Sequence, residues 1–321
     1  MHPFAATLAT VLVITAPMHS VRNRDVDTQV RRIVVARAET LAVTIFAPDR
    51  ANASPSNATS RPTIVLLPSQ IGSVFSMRHI TGGLLTRGYA VAVIDALGMG
   101  VSARPGMADY SLTAQARRID VVLDSLALRH VVLVGQGTSA SIAYRLASHD
   151  TARVHALLSI AGGPVDRQAT SGVRLALALS ILIDTPIGRA FARRKFSSAM
   201  REHSADTQWC TAAVLAAYLA PYEHDLRGSL RALRGMNDAS ESELLVDRLP
   251  HIRVPVRLLI GDKPTADRPT TPQIAMLTVH VSNFRVDTVR AAGAMLNEER
   301  AGVVVDHIVA LAMETTRPRA P

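Results

Sequence analysis

A chain of 321 residues that is 48% hydrophobic is long enough to bury one large core, or a core with an accessory layer. The net charge of +9 is almost all arginine, because Lys195 and Lys263 are the only lysines. With aromatic residues at 4% and no basic run interleaved with them, the excess argues against a nucleic-acid partner. Cys210 is the single cysteine, which excludes an internal disulfide and a cysteine-rich metal site.

Residues 1–27 read as an N-terminal extension or a signal peptide. Phe4–Ala16 is an uncharged apolar run, too short for a stable membrane span but of the length of a signal-peptide core. No Lys or Arg precedes it and no clear small-residue cleavage site precedes Val21, so export by way of residues 1–20 and a cytoplasmic location both stay open. Arg32–Arg37 and Leu41–Ala47 predict a hairpin turning at Ala38–Thr40. Asp49–Arg61, rich in Ser, Asn, Ala and Pro, predicts an exposed loop.

Thr63–Leu67 is a continuous apolar strand, as expected where both faces are covered. It leads through Pro68–Ser73 into a helix ending near Arg87. Tyr89–Asp95 is the next buried strand. Ser111–Leu128 is an amphipathic helix with Ala114, Ile119, Val122 and Leu126 on or near its inner side. Val131–Ser148 then reads as strand, sharp turn and helix, and Val154–Ile160 as another strand. Residues 163–250 are mainly helical, with Leu175–Ile183, Arg189–Met200, Thr211–Tyr218 and Asp225–Leu233 as candidates and Pro186 and Pro221 as separators. The arginines of this block (Arg189, Arg193, Arg194, Arg201, Arg227, Arg231, Arg234) read as a solvated face rather than a docking patch. Strand Val256–Ile260, a helix from Thr271, strand Phe284–Val289 and a helix from about Glu298 to Met313 complete the chain. Strands alternating with helices at this spacing predict an α/β fold with a parallel sheet and right-handed crossovers.

Three segments carry a family resemblance. Asp95-x-x-Gly98-x-Gly100-x-Ser102-x-x-Pro105 follows one buried strand. Gly135-Gln136-Gly137-Thr138-Ser139 lies some thirty residues on, where a nucleophile elbow reads G-x-S-x-G. Gly293-Ala294-Met295-Leu296-Asn297-Glu298-Glu299-Arg300 follows the last strand. In this order the chain resembles the α/β-hydrolase superfamily, among its capped ester, lactone and epoxide hydrolase-like members, from about Arg32 to the last helix. The resemblance implies a mostly parallel eight-stranded sheet with helices on both faces. It also implies a core of residues 28–162 and 251–321, with 163–250 as an inserted helical cap.

The resemblance also assigns places to a catalytic triad. The nucleophile position holds Gly137 and the histidine position Ala294. The usual acid position holds Pro264, with Asp262, Asp267 and Asp166 as nearby acid candidates. Acyl transfer needs a hydroxyl activated by an imidazole that a carboxylate orients, so no intact triad is expected. Backbone N–H groups of Gln70 and Thr138 would form the oxyanion hole. Ser69, Ile71, Gly137, Ser139, His203 and His224 are expected around the pocket. Thr138 and Ser139 read as helix-capping hydroxyls, and glycine relieves the backbone strain of the elbow apex.

Gly135-x-Gly137-x-x-Ala140 also fits a dinucleotide fingerprint, but no acid stands near the end of the following strand. No metal-ligand spacing occurs, and no metal or cofactor is expected. The expected partner is a small apolar molecule, bound without ordinary serine hydrolysis. The alternative is a hydrolase, lyase or isomerase acting through a relocated nucleophile or a bound water.

Overall fold

The computed structural model describes residues 26–48, 61–150, 152–168 and 185–316, with residues 174, 177, 178 and 180 between them. The expectations for residues 1–25, for most of the Asp49–Arg61 loop and for most of Leu175–Ile183 fall outside the described residues. The strands are β1 Val26–Ala36, β2 Glu39–Pro48, β3 Thr63–Leu67, β4 Val91–Asp95, β5 Val131–Gln136, β6 Val154–Ile160, β7 Val256–Gly261 and β8 Phe284–Val289. They form one eight-stranded sheet in the order β1-β2-β4-β3-β5-β6-β7-β8. β2 runs antiparallel to β1 and β4, and every later pairing is parallel.

The continuous apolar strands divide their side chains between two cores, because successive residues of a strand point to opposite faces. Val65, Leu67, Val131 and Leu133 join one cluster, which includes α2 (Leu112–Ser125) and α3 (Ser139–His149) through Ile119, Val122, Ile142 and Leu146. Ile64, Leu66, Val132 and Val134 join the other, with Met77, Ile80, Leu84, Val304 and Ile308. Those residues belong to a short 3-10 turn, to α1 (Arg78–Thr86) and to the C-terminal helix. Helices therefore cover both faces of the sheet, as the resemblance implies.

Between β6 and β7 lie α4 (Pro186–Glu202), α5 (Ala212–His224), α6 (Leu226–Asp238) and α7 (Leu245–Arg248). Of the two prolines only Pro186 falls at a helix boundary. Pro186 begins α4, where a missing N–H costs nothing, and Pro221 lies inside the last turn of α5. After β7 come α8 (Thr271–His280), α9 (Leu296–Glu299) and α10 (Ala301–Thr316). The expected single last helix is thus interrupted at Arg300, whose φ of −143° is not helical. Among the described residues no helix is long and apolar enough to cross a membrane.

Candidate active site

The strand order reverses at β3, which has β4 on one side and β5 on the other. Open α/β sheets leave a crevice beyond the strand ends at such a point. Leu67 at the end of β3 pairs with Gly135 of β5, so the Pro68–Ser73 loop and the elbow turn meet there.

Gly137 is the apex of that turn, with φ +56°. Its N–H donates to Ile160 O at 2.9 Å, and its carbonyl accepts from Ala140 N at 3.1 Å. A Cβ added to Gly137 would have only Ser69 Cβ within 4 Å, at an ordinary 3.5 Å. Space is therefore available at the apex, and only the left-handed backbone opposes a side chain. Gly137→Ser is accordingly expected to fold and to lose about 1 kcal/mol, measured by urea denaturation.

The hydroxyls beside the apex behave differently from the capping expectation. Ser139 donates to Pro68 O at 2.6 Å and is 1% exposed, so it ties α3 to the loop after β3. Thr138 makes no capping bond, and its Oγ1 is buried without a partner. The Thr138 amide has no acceptor among the described residues. Gln70 is buried, with Nε2 3.2 Å from Gln168 O. The Tyr222 hydroxyl, from α5, lies 2.8 Å from Gln70 O and 2.9 Å from Gly72 O and shares its one proton between them. The same hydroxyl is 3.4 Å from Gly100 N, in the turn after β4. Burial pushes the Asp95 carboxyl of that turn up to about 7.

On the other side of the elbow, Gln136 Nε2 donates to Asn297 Oδ1 at 2.6 Å. Asn297 in turn donates to Ser76 O at 2.9 Å and lies 3.0 Å from the Tyr218 hydroxyl. Tyr218 donates to Glu298 at 2.5 Å, and Arg78 holds both oxygens of Glu298 at 2.7 Å. This buried polar chain joins the elbow, α1, α5 and the segment after β8. Sequence reasoning missed it and missed Tyr222, because no local pattern shows that residues 79 to 221 positions apart will meet.

The acid candidates are separated and occupied. The Asp262 carboxylate accepts from Ala291 N at 3.0 Å and Ala292 N at 3.1 Å, and these bonds hold it below the usual carboxylate range. Asp166 is bound to Arg145 and to Leu245 N. Asp267 lies 2.9 Å from His203 Nε2 in an ion pair.

His203, at the end of α4, is the histidine that the fold brings to the Ala294 segment. Its backbone carbonyl accepts from Ala294 N at 2.7 Å. A Cβ on Gly293 would come within 2.2 Å of that carbonyl, so glycine permits this close approach. Its ring is taken up elsewhere, with Nδ1 2.7 Å from Ala199 O and Nε2 facing Asp267. Ile71 packs beside the small cluster of Met200, Cys210, Leu215, Tyr218 and Met295. His224 is exposed at the end of α5 and makes no described hydrogen bond or ion pair.

Asp267 raises the pKa of His203 above 6.5, against desolvation that lowers it. A His stabilised in its charged form adds stability that is complete below its unfolded pKa and is lost as pH rises through the folded value. His203→Gln should therefore melt below the wild type at pH 6, with the difference closing above the folded His203 pKa. Thermal melts at a series of pH values measure this.

A strand–turn–helix elbow at the carboxyl edge of a mostly parallel sheet, faced by the loop after β3, is the architecture of an α/β-hydrolase. A sequence profile of the alpha/beta hydrolase family matches residues 64–307, and the chain belongs to that family. A haloalkane dehalogenase of Agrobacterium fabrum is 37% identical over 94 residues, 29% of this chain and 30% of that protein. The chain thus matches less than a third of that relative's length. Among solved structures, the epoxide hydrolase CorEH superposes with a TM-score of 0.68 at 14% identity, covering 90% of this chain and 99% of that one. An esterase of Exiguobacterium antarcticum gives 0.65 at 18%, covering 86% and 96%. At these identities the two structures share the fold. Among the described residues no group of three or more His, Cys, Asp or Glu side chains is placed to hold a metal ion.

Proposed function

We propose that the protein binds a small, largely apolar ligand in the crevice at Gly137, beneath a helical cap formed by residues 163–250, without ordinary serine hydrolysis. The observation that carries this reading is Gly137 itself: the elbow keeps its left-handed apex, and no hydroxyl stands there. The occupied ring of His203 and the separate engagements of Asp262, Asp166 and Asp267 support it. The Thr138 amide would receive a ligand oxygen, in the manner of an oxyanion hole that has lost its nucleophile. Loss of a triad serine or histidine costs about a millionfold in rate and leaves roughly 10³–10⁴ over water. That remainder suits retention of a ligand better than turnover.

A second reading has one observation in its favour. The Ser69 hydroxyl is half-buried beside Gly137 and makes no described hydrogen bond, so a relocated nucleophile has a candidate. A fluorophosphonate probe and p-nitrophenyl butyrate, with δ-decalactone titrated by calorimetry, distinguish the two. Saturable lactone binding, no labelling and background ester turnover are expected. Labelling at Ser69 or Ser139, or turnover abolished by Ser69→Ala, would replace the binding reading with the enzymatic one.

A further inference from the structure

The N-terminal half of α4 departs from the solvated face that its arginines suggest. Thr185–Arg201 carries Arg189, Arg193, Arg194, Lys195 and Arg201 and no acidic residue. On a helix, residues four apart lie on one side. The row Gly188, Ala192, Phe196 and Met200 is turned inward, and Phe196 and Met200 pack in the cluster around Tyr218 and Met295. The flank beside that row carries Ile187, 84% exposed, and Phe191, 43% exposed, one turn apart and followed by Arg194. Lys195 lies 5.7 Å from the Phe191 ring. Arg193 is paired with Glu223, whereas Arg189 and Arg194 have no acidic partner among the described residues. A solvated helix face has no need of two large apolar side chains exposed at its border. An apolar wedge bordered by unneutralised cations has the chemistry of an interfacial helix on an anionic lipid surface.

We infer that the first turns of α4 dock peripherally on anionic phospholipid, with Ile187 and Phe191 entering the interface and Arg189, Arg194 and Lys195 meeting the headgroups. The wedge recruits the protein to the surface of a bilayer and does not span it. Its C-terminal half stays anchored in the protein through Phe196 and Met200, which makes the wedge a rigid projection rather than a segment that must fold on binding. Cationic side chains without exposed apolar neighbours would fit a nucleic-acid backbone as well; the exposed Ile187 and Phe191 favour lipid.

The test is co-sedimentation of the full chain with phosphatidylcholine vesicles, with and without phosphatidylglycerol. Wild type should bind only the anionic vesicles, and 0.5 M salt should weaken binding. Ile187→Ser with Phe191→Ser should weaken it by about tenfold or more. Arg189→Gln with Arg194→Gln should do so by roughly thirtyfold, at about fivefold for each cation removed. Because these residues are exposed, both variants should melt with the wild type. Any affinity supplied by Phe4–Ala16 is common to wild type and variants, so only the differences are read. Equal binding by variants and wild type, or binding of neutral vesicles to the same extent, overturns the proposal. It is also overturned if the substitutions abolish binding to duplex DNA or a self-associated state and leave vesicle binding unchanged.

Discussion

Arg78→Met should lower the stability by about 3–5 kcal/mol, seen as a lower urea midpoint with an unchanged slope. The Glu298 side chain is fully buried, and Arg78 supplies two hydrogen bonds of 2.7 Å to it. His79 Nε2, at 3.7 Å and half-exposed, is a poor substitute cation. Without Arg78 the carboxylate would keep the Tyr218 hydroxyl as its close donor, and a buried charge lacking its counter-ion is costly. Arg78→Met with Glu298→Leu should recover part of the loss, because an apolar pair of similar volume often replaces a buried ion pair at little cost. A midpoint within 1 kcal/mol of wild type for Arg78→Met would show that Glu298 is not held as an anion. The link between the elbow and α1 would then need a different account.

Arg145→Met is expected to be comparable, again about 3–5 kcal/mol in the same measurement. Arg145 is 4% exposed and faces both Asp166 and the Glu241 carboxylate, the latter at 3.6 Å and equally buried. Glu241 also accepts from Leu112 N at 2.5 Å, Thr113 N at 3.1 Å and the Thr113 hydroxyl at 2.6 Å. It therefore joins the stretch after α6 to the amino end of α2, where a helix favours negative charge. Those donors would remain, but the cation balancing two acids would be gone. The nearby pair Arg248–Glu243 is a control: its side chains are 35% and 40% exposed, and Arg248→Gln should cost no more than about 1 kcal/mol. Equal losses for Arg145→Met and Arg248→Gln would mean that burial does not set the strength of these pairs.

Both variants test contacts that no sequence pattern displays. Thr63–Leu67, Val154–Ile160 and Phe284–Val289 are strands at the predicted bounds, the first two as largely apolar runs and the last by the alternation of Phe284, Val286 and Thr288 with Arg285 and Asp287. Elsewhere tertiary contacts override the local pattern. Pro221 looked like a helix boundary, yet α5 continues past it to His224. The next residue, Tyr222, is fastened to Gln70 and Gly72, and the Pro221 carbonyl accepts from Arg104 at 3.2 Å. Tertiary bonds there hold a turn that local preference would release. The positions of Thr138 and Ser139 predict caps, but the neighbouring Pro68 carbonyl takes the Ser139 hydroxyl instead.

The alternation of strands and helices, the glycine at the elbow apex and the alanine after Gly293 are legible in the sequence, since each depends on residue type and short-range spacing. The sequence by itself does not determine which carboxylate serves which partner. Asp262, Asp166 and Asp267 are equivalent in the sequence, and packing sends them to a backbone turn, to Arg145 and to His203 respectively. A charged group's role is set by whichever donors folding brings within about 3 Å, and these come from segments far apart in the chain. Only the tertiary structure brings them together.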